Sequence, residues 1–79
     1  MGTRARAKPE HLASKLLAIR QHLRLSQSQL AVRLDLDTAA RVSEFEHGKR
    51  EPTLAVLLSY ARLAGVPLDR IVDDASRLF

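Results

Sequence analysis

The sequence predicts an all-α protein, a compact bundle of five short helices, and two observations lead to this prediction. Apolar residues recur three or four positions apart over most of the chain, and no segment alternates apolar with polar residues as a half-buried strand does. Serine, threonine, proline and glycine stand where these apolar runs start and stop. Because isolated helices of this length are marginal in water, the five must share one core.

Helix 1 is predicted over residues 10–23. Its apolar stripe consists of Leu12, Leu16, Ile19 and Leu23, which lie four, three and four positions apart. Pro9 suits the opening of this helix because an N–H in the first turn has no partner within the helix.

Helix 2 is predicted from Ser26 to about Leu34. Ser26 and Gln29 have the spacing of a capping box, in which each side chain accepts a hydrogen bond from the other residue's backbone N–H. Asp35 tolerates left-handed backbone geometry, so it can end helix 2 where glycine is commoner. Asp37 or Thr38 can then accept from the N–H groups that open the next helix.

Helix 3 is predicted over residues 39–46, with Val42 and Phe45 directed inward. The residues expected outward or at its edges are Ala40, Arg41, Ser43, Glu44 and His47. Helix 4 follows a cap at Thr53 and ends before Gly65. After Val66-Pro67, helix 5 is predicted from the spacing of Leu68, Ile71, Val72 and Ala75.

Length and charge suggest one domain over residues 9–79, preceded by a flexible basic arm over residues 1–8. The net charge is +4; residues 1–50 hold ten Lys/Arg against five Asp/Glu, and residues 51–79 hold three against four. This basic excess indicates a polyanion such as nucleic acid, although it is equally typical of a solvated basic face. Arg4, Arg6 and Lys8 of this arm either lie along such a polyanion and add salt-sensitive affinity or form an inert tail.

Several classes of protein are disfavoured by the sequence. Cysteine is absent, and the chain has neither a signal-peptide pattern nor an apolar stretch of membrane-spanning length. We therefore expect a cytoplasmic protein that has no membrane partner. His11 and His22 would lie roughly 16 Å apart on one helix, which is too far to share a metal ion. Without a cofactor motif, a catalytic constellation or an evident small-molecule site, we expect no cofactor and no enzymatic activity.

The chain resembles a known family on three ordered segments: "LAIRQHLRLSQSQLA", "VSEFEHGKREPTL" and "LLSYARLAGVPLDRIV". It is similar to the Cro and phage-repressor (XRE-type) helix-turn-helix domains over about residues 10–73. The resemblance implies a lambda-repressor-like DNA-binding domain in which helices 2 and 3 form the helix-turn-helix and helix 3 enters the major groove. It also implies a structural ion pair between Arg20 and Glu46.

This sequence departs from the family pattern at two places in the turn. Asp35 stands at the position that is usually glycine, and one residue more than the commonest pattern separates Leu36 from Val42. The extra residue either lengthens the turn or advances the start of helix 3. In the second case the base contacts at its start move by one position.

The resemblance assigns base reading to the start of helix 3, at Thr38, Ala39, Ala40, Arg41 and Glu44. An outward Arg41 can donate two bonds to guanine, and the alternatives are a phosphate contact or pairing with Glu44. Ala39 and Ala40 either approach a thymine methyl closely or simply fill the helix. Glu44 either accepts from cytosine N4 or restrains Arg41.

Phosphate binding is expected from Ser26, Gln27, Ser43, His47, Lys49 and Arg50. Gln27 would contact a phosphate or brace helix 3, unless it is only an exposed helix former, and Ser26 can combine a phosphate contact with capping. Ser43 and His47 would reach the sugar-phosphate backbone. Lys49 and Arg50 follow helix 3, where members of the family commonly bind phosphate, and the alternative is a solvated turn.

We therefore expect a sequence-specific regulator of transcription that binds double-stranded DNA, and we favour a repressor over an activator. We expect a homodimer, because one recognition helix covers few base pairs. The candidate interface is the apolar end at Ile71, Leu78 and Phe79, unless these residues only close the core. The alternative function is an antitoxin-like or adaptor module whose main partner is a regulatory protein.

Overall fold

Five α-helices make up the part of the chain that the structure, a computed structural model, describes, which is residues 9–79. The basic arm expected over residues 1–8 lies outside this part. Residues 9–79 contain no β-strand, which confirms the all-α prediction, and none of their helices has the length and apolarity that crossing a membrane requires. The helices are α1 (Leu12–Leu23), α2 (Gln27–Arg33), α3 (Ala39–Glu46), α4 (Leu54–Ala64) and α5 (Asp69–Val72).

Hydroxyl side chains begin the three central helices. Ser26 forms the predicted capping box with Gln29, and Thr53 Oγ1 accepts from the N–H of Val56 at the start of α4. At α3 the cap is Thr38 and not Asp37, which is exposed. Each cap gives a first-turn N–H a partner that the helix itself lacks, so the starts of α2, α3 and α4 are set locally.

The first four helices end in the same way, with a residue in the left-handed region. These residues are Arg24, Asp35, Gly48 and Gly65, with φ between 59° and 72°. After α2, the N–H of Asp35 donates to Val32 and the N–H of Leu36 donates to Ala31, which is the hydrogen-bond pattern of a Schellman motif. The prediction that Asp35 replaces glycine here is confirmed, and the reversal turns the chain from α2 toward α3.

The core is built around α1. Its fully buried residues are Leu16, Ile19, Leu30, Val42, Tyr60 and Ile71, contributed by all five helices. Each aliphatic side chain among them contributes roughly 1.5–3 kcal/mol when it is removed from water. Since every helix supplies at least one of these fully buried residues, no helix is expected to keep its position without the others.

Helix α5 is shorter than predicted. It ends at Val72 instead of continuing to Ala75, because Asp73 adopts an extended conformation with ψ 113°. The buried Lys15 ammonium donates to the carbonyl oxygens of Arg70 and Asp73 at 2.8 Å, and to that of Ser76 at 3.0 Å. This cation from α1 satisfies carbonyls at the end of α5, so the chain can leave the helix there.

The segment after α5 is held against the start of α1. The backbone N–H groups of Glu10 and His11 donate to the Asp74 carboxylate at 2.8 and 3.0 Å. These two bonds favour the charged carboxylate and lower the pKa of Asp74. The two ends of the described chain are therefore joined by hydrogen bonds.

Two residues of the expected dimer surface lie in the core of the monomer. Ile71 is fully buried and Leu78 is 9% exposed, and both belong to the core of the monomer. They close that core, and the interface at Ile71, Leu78 and Phe79 stays a prediction. Phe79 remains 53% exposed, with its ring stacked on the His22 ring at a centroid distance of 4.2 Å.

Candidate nucleic-acid interface

Helix α3 has a buried side and a free side. Val42 is fully buried and Phe45 is 3% exposed, as predicted, so this side is packed into the core. On the opposite side Ala40 is exposed, and the side chains of Arg41 and Glu44 are 41% and 40% exposed. A helix held by one side with its polar side in solvent can lie against another molecule without unfolding any part of the monomer.

The turn before α3 ends in a threonine cap. Thr38 is extended, with φ −148° and ψ 153°, and its Oγ1 accepts from the N–H of Ala40 at 2.8 Å. Helix α3 therefore begins at Ala39, as predicted. Ala39 is half-buried, so of the two alanines Ala40 lies more fully at the surface.

The end of α3 is tied to α1 and α2 through one carboxylate. Arg20 of α1 donates from Nε to Glu46 Oε2 at 2.7 Å and from Nη2 to Glu46 Oε1 at 3.1 Å. Gln27, the first residue of α2, donates from Nε2 to the same Oε1 at 3.0 Å. The Glu46 side chain is 3% exposed and that of Arg20 is 19% exposed. We call these three residues the Glu46 network.

The Glu46 network also reaches the loop between α1 and α2. Arg20 Nη1 donates to the Leu25 carbonyl at 3.1 Å, so the guanidinium uses donors on several sides. The hydrogen bond to Glu46 raises the pKa of Arg20 above its ordinary value, despite the opposing effect of burial. At the adjoining core, burial raises the pKa of Tyr60, and the negative charge of Glu46 adds to this. Around this carboxylate, Arg20 therefore stays charged and Tyr60 stays neutral.

The position of Gln27 separates its alternative roles. Its amide nitrogen is engaged by Glu46 and its side chain is partly buried, so it contributes to bracing α3. Ser26, beside it, is exposed, and its hydroxyl oxygen accepts from the N–H of Gln29 at 3.0 Å. That bond leaves the hydroxyl proton of Ser26 able to donate to another group.

Three charged side chains meet on the free side of α3. Glu44 Oε1 lies 3.0 Å from Arg50 Nε and 3.8 Å from Arg41 Nε. The six-residue spacing of Glu44 and Arg50 does not predict this contact, because Glu44 lies within α3 and Arg50 lies in the loop after it. Gly48, with φ 72°, reverses the chain, and the N–H of Lys49 donates to the Glu44 carbonyl at 2.9 Å. This reversal brings Arg50 back over α3.

The remaining polar residues border the same surface. His47 Nδ1 lies 2.8 Å from the Ser43 carbonyl oxygen, so the ring is held against the last turn of α3. Lys49 is exposed in the following loop. A shallow depression runs along α3 and is lined by Ala40, Ser43, Glu44, His47 and Lys49. The structure thus brings the expected base-reading and phosphate-binding residues from α3 and its loop together on one surface.

Residues 9–79 contain no group of three or more His, Cys, Asp or Glu residues placed to hold a metal ion.

Comparison with known proteins identifies the fold and the family. A family model described as helix-turn-helix, HTH_3, matches residues 16–71, which is more than half of the chain and contains α2, α3 and the turn between them. The chain belongs to the Cro/C1-type helix-turn-helix family. As a member of this family it is a DNA-binding transcription regulator. No curated protein matches the sequence.

Solved structures share the Cro/C1-type helix-turn-helix fold. The P22 c2 repressor in complex with a synthetic operator has a TM-score of 0.72 and 19% identity, covering 80% of this chain and 94% of the repressor chain. The restriction-modification controller protein C.AhdI from Aeromonas hydrophila has a TM-score of 0.67 and 27% identity, covering 76% and 89%. The hypothetical transcription factor NHTF from Neisseria has a TM-score of 0.69 and 24% identity, covering 89% and 86%.

The Glu46 network leads to a prediction about the stability of this helix-turn-helix domain. We expect Glu46→Gln to lower the free energy of unfolding by roughly 2–4 kcal/mol, because Arg20 loses its counter-ion in a largely buried position. Chemical denaturation of the two proteins measures the difference. Glu51→Gln is the matched control, because Glu51 is exposed, and its effect should stay within about 0.5 kcal/mol. Equal stability of Glu46→Gln and the parent protein would show that the Glu46 network contributes nothing to the free energy of unfolding.

Proposed function

We propose that this protein binds a specific sequence of double-stranded DNA by inserting the free side of α3 into the major groove. The observation that carries the proposal is the division of α3 into a side fixed by Val42, Phe45 and the Glu46 network and a side that is polar and exposed. The major groove accepts one α-helix and presents a different donor and acceptor pattern for each base pair. A rigidly held helix can therefore read sequence with its outward side chains.

Base reading is assigned to the start of α3. Arg41 is the principal reader, because its guanidinium can donate two hydrogen bonds to guanine O6 and N7. Ala40 is small and exposed, which lets the helix approach a thymine methyl group, and Ala39 and Thr38 flank it at the helix start. Glu44 lies on the same side, one turn further along α3.

Phosphate binding is assigned to the residues around this helix. Lys49 and Arg50 lie in the loop after α3, and Ser43 and His47 line its edge. Ser26 and Gln27 stand at the start of α2. Ser26 can donate its hydroxyl proton to a phosphate, and Gln27 would use its backbone N–H, because its side-chain amide is engaged by Glu46. Contacts of this kind set the position and orientation of the protein on the duplex but carry no sequence information.

The biological consequence we infer is repression. A protein seated in the major groove excludes other proteins from the same base pairs, so a site that overlaps a promoter would be silenced. We propose that the protein acts in the cytoplasm of a cell that keeps its DNA in that compartment.

We further propose that two copies bind one operator. One α3 reads only a few base pairs, and a symmetric pair on half-sites about one helical turn apart multiplies the discrimination. Among the residues of the expected interface, Phe79 is 53% exposed and is available for contact with a second copy. Sedimentation of the complex with the selected duplex should give two protein chains per site, and one chain per site at saturation would refute the dimer.

The test of the proposed function is selection from random duplexes, followed by titration of the selected sequence at several salt concentrations. Arg41→Ala should lose preference at one base position, with a loss of roughly 1–3 kcal/mol there. Lys49→Ala should weaken binding to all sequences alike and reduce the salt slope by about one, because one phosphate contact is lost.

Each variant is the control for the other, since both remove one positive charge from the same surface. Identical behaviour of the two variants would contradict the division between base reading and phosphate binding. If the parent protein selects no sequence and binds duplexes with little salt dependence, the proposed function is wrong. Tight binding to a protein in its place would then favour the adaptor alternative.

A further inference from the structure

An acidic residue lies in the middle of the surface that we assign to DNA. Glu44 is on the free side of α3, with its side chain 40% exposed. Phosphate groups repel a carboxylate at this place, and the charge of Glu44 also reduces the local positive potential that attracts DNA. A residue with this cost on a DNA-binding surface requires an account of what it contributes there.

The two groups nearest to this carboxylate are cations that the proposed function uses. Arg50, assigned to phosphate, lies 3.0 Å from Glu44 Oε1, and Arg41, assigned to base reading, lies 3.8 Å from the same oxygen. The Arg50 contact has hydrogen-bond geometry, whereas the longer Arg41 contact is an ion pair only. In the free protein, Glu44 therefore partly neutralises both arginines.

These pairs are weak enough to be exchanged. All three side chains are between 40% and 52% exposed, so water and salt screen the pairs. Exposed ion pairs of this kind typically favour the paired state by only a few-fold, which the two hydrogen bonds of an arginine to guanine can overcome. The arginines thus have two sets of partners, Glu44 within the protein and the DNA outside it.

We propose that Glu44 is a positioning residue that sets the sequence selectivity of the protein by holding Arg41 and Arg50 away from non-operator DNA. The inference rests on the proposed function. On the operator, Arg41 gains a guanine in exchange for Glu44, and the exchange is favourable. On other sequences no guanine competes for Arg41, so the arginines stay paired with Glu44 and contact fewer phosphates. Glu44 therefore weakens non-operator binding more than operator binding.

Glu44→Gln tests this inference, because it removes the charge and nearly preserves the shape of an exposed side chain. Affinity for a non-operator duplex should rise on the order of tenfold at low salt, and the salt slope should steepen by about one, because one more positive charge is available to phosphates. Affinity for the selected operator should rise less, so the ratio of the two affinities falls. Fluorescence anisotropy titrations with both duplexes measure these changes.

Two controls separate this role from a general charge effect. Glu51→Gln makes the same charge change at an exposed residue next to Arg50, outside α3. It should change non-operator affinity much less than Glu44→Gln does. In an Arg50→Gln background, the gain from Glu44→Gln should shrink, because one of the two restrained cations is then absent.

The outcomes distinguish the possible roles of Glu44. Loss of operator affinity at one base position, with non-operator binding unchanged, would mean that Glu44 reads a base and would overturn the inference. An unchanged affinity ratio, or an equal gain from Glu51→Gln, would also overturn it. If the parent protein itself does not discriminate between the two duplexes, the failure lies in the proposed function.

Discussion

The arrangement of the molecule depends on the carboxylate of Glu46. It accepts hydrogen bonds from Arg20 of α1 and from Gln27 of α2 while it stands at the last residue of α3, so three helices meet at one buried charge. Apolar packing by Val42 and Phe45 determines which side of α3 is buried, but it is not directional. Hydrogen bonds are directional, and the Glu46 network therefore limits how α3 can slide or rotate on the core.

The two sides of α3 differ in how their charges are held. The pair formed by Arg20 and Glu46 is shielded from solvent, with side chains 19% and 3% exposed, so it is screened little and is costly to break. The pairs around Glu44 are exposed and easily exchanged. A DNA-binding helix needs both properties, since its position must be fixed before contact while its reading side chains must change partners on contact. The separation of about half a helical turn between Glu44 and Glu46 places one carboxylate in each environment.

The local features of the fold were predictable from the sequence, and the contacts between distant segments were not. Ser26, Thr53 and Asp35 act within four residues of their own position, so their roles in starting and ending helices follow from residue type and spacing. The shorter α5 depends on Lys15, more than fifty residues away, and no local pattern encodes that contact. Ile71 and Leu78 recur at helical spacing, but this periodicity does not show whether an apolar residue packs in the core of the monomer or against a second copy. For the candidate site, the resemblance implied the Arg20 and Glu46 pair, whereas the contact between Arg50 and Glu44 requires the reversal at Gly48.

We propose that α3 is a firmly held helix whose outward side contacts DNA. Backbone amide ¹H–¹⁵N spectra, recorded during titration with a duplex recovered from random-sequence selection, test it most directly. The largest shift changes should fall on Ala40, Arg41 and Ser43 and on the loop at Lys49, with the helical amides of α3 still present in the bound state. Changes confined to α5 and the start of α1, with the amides of α3 unaffected, would contradict it.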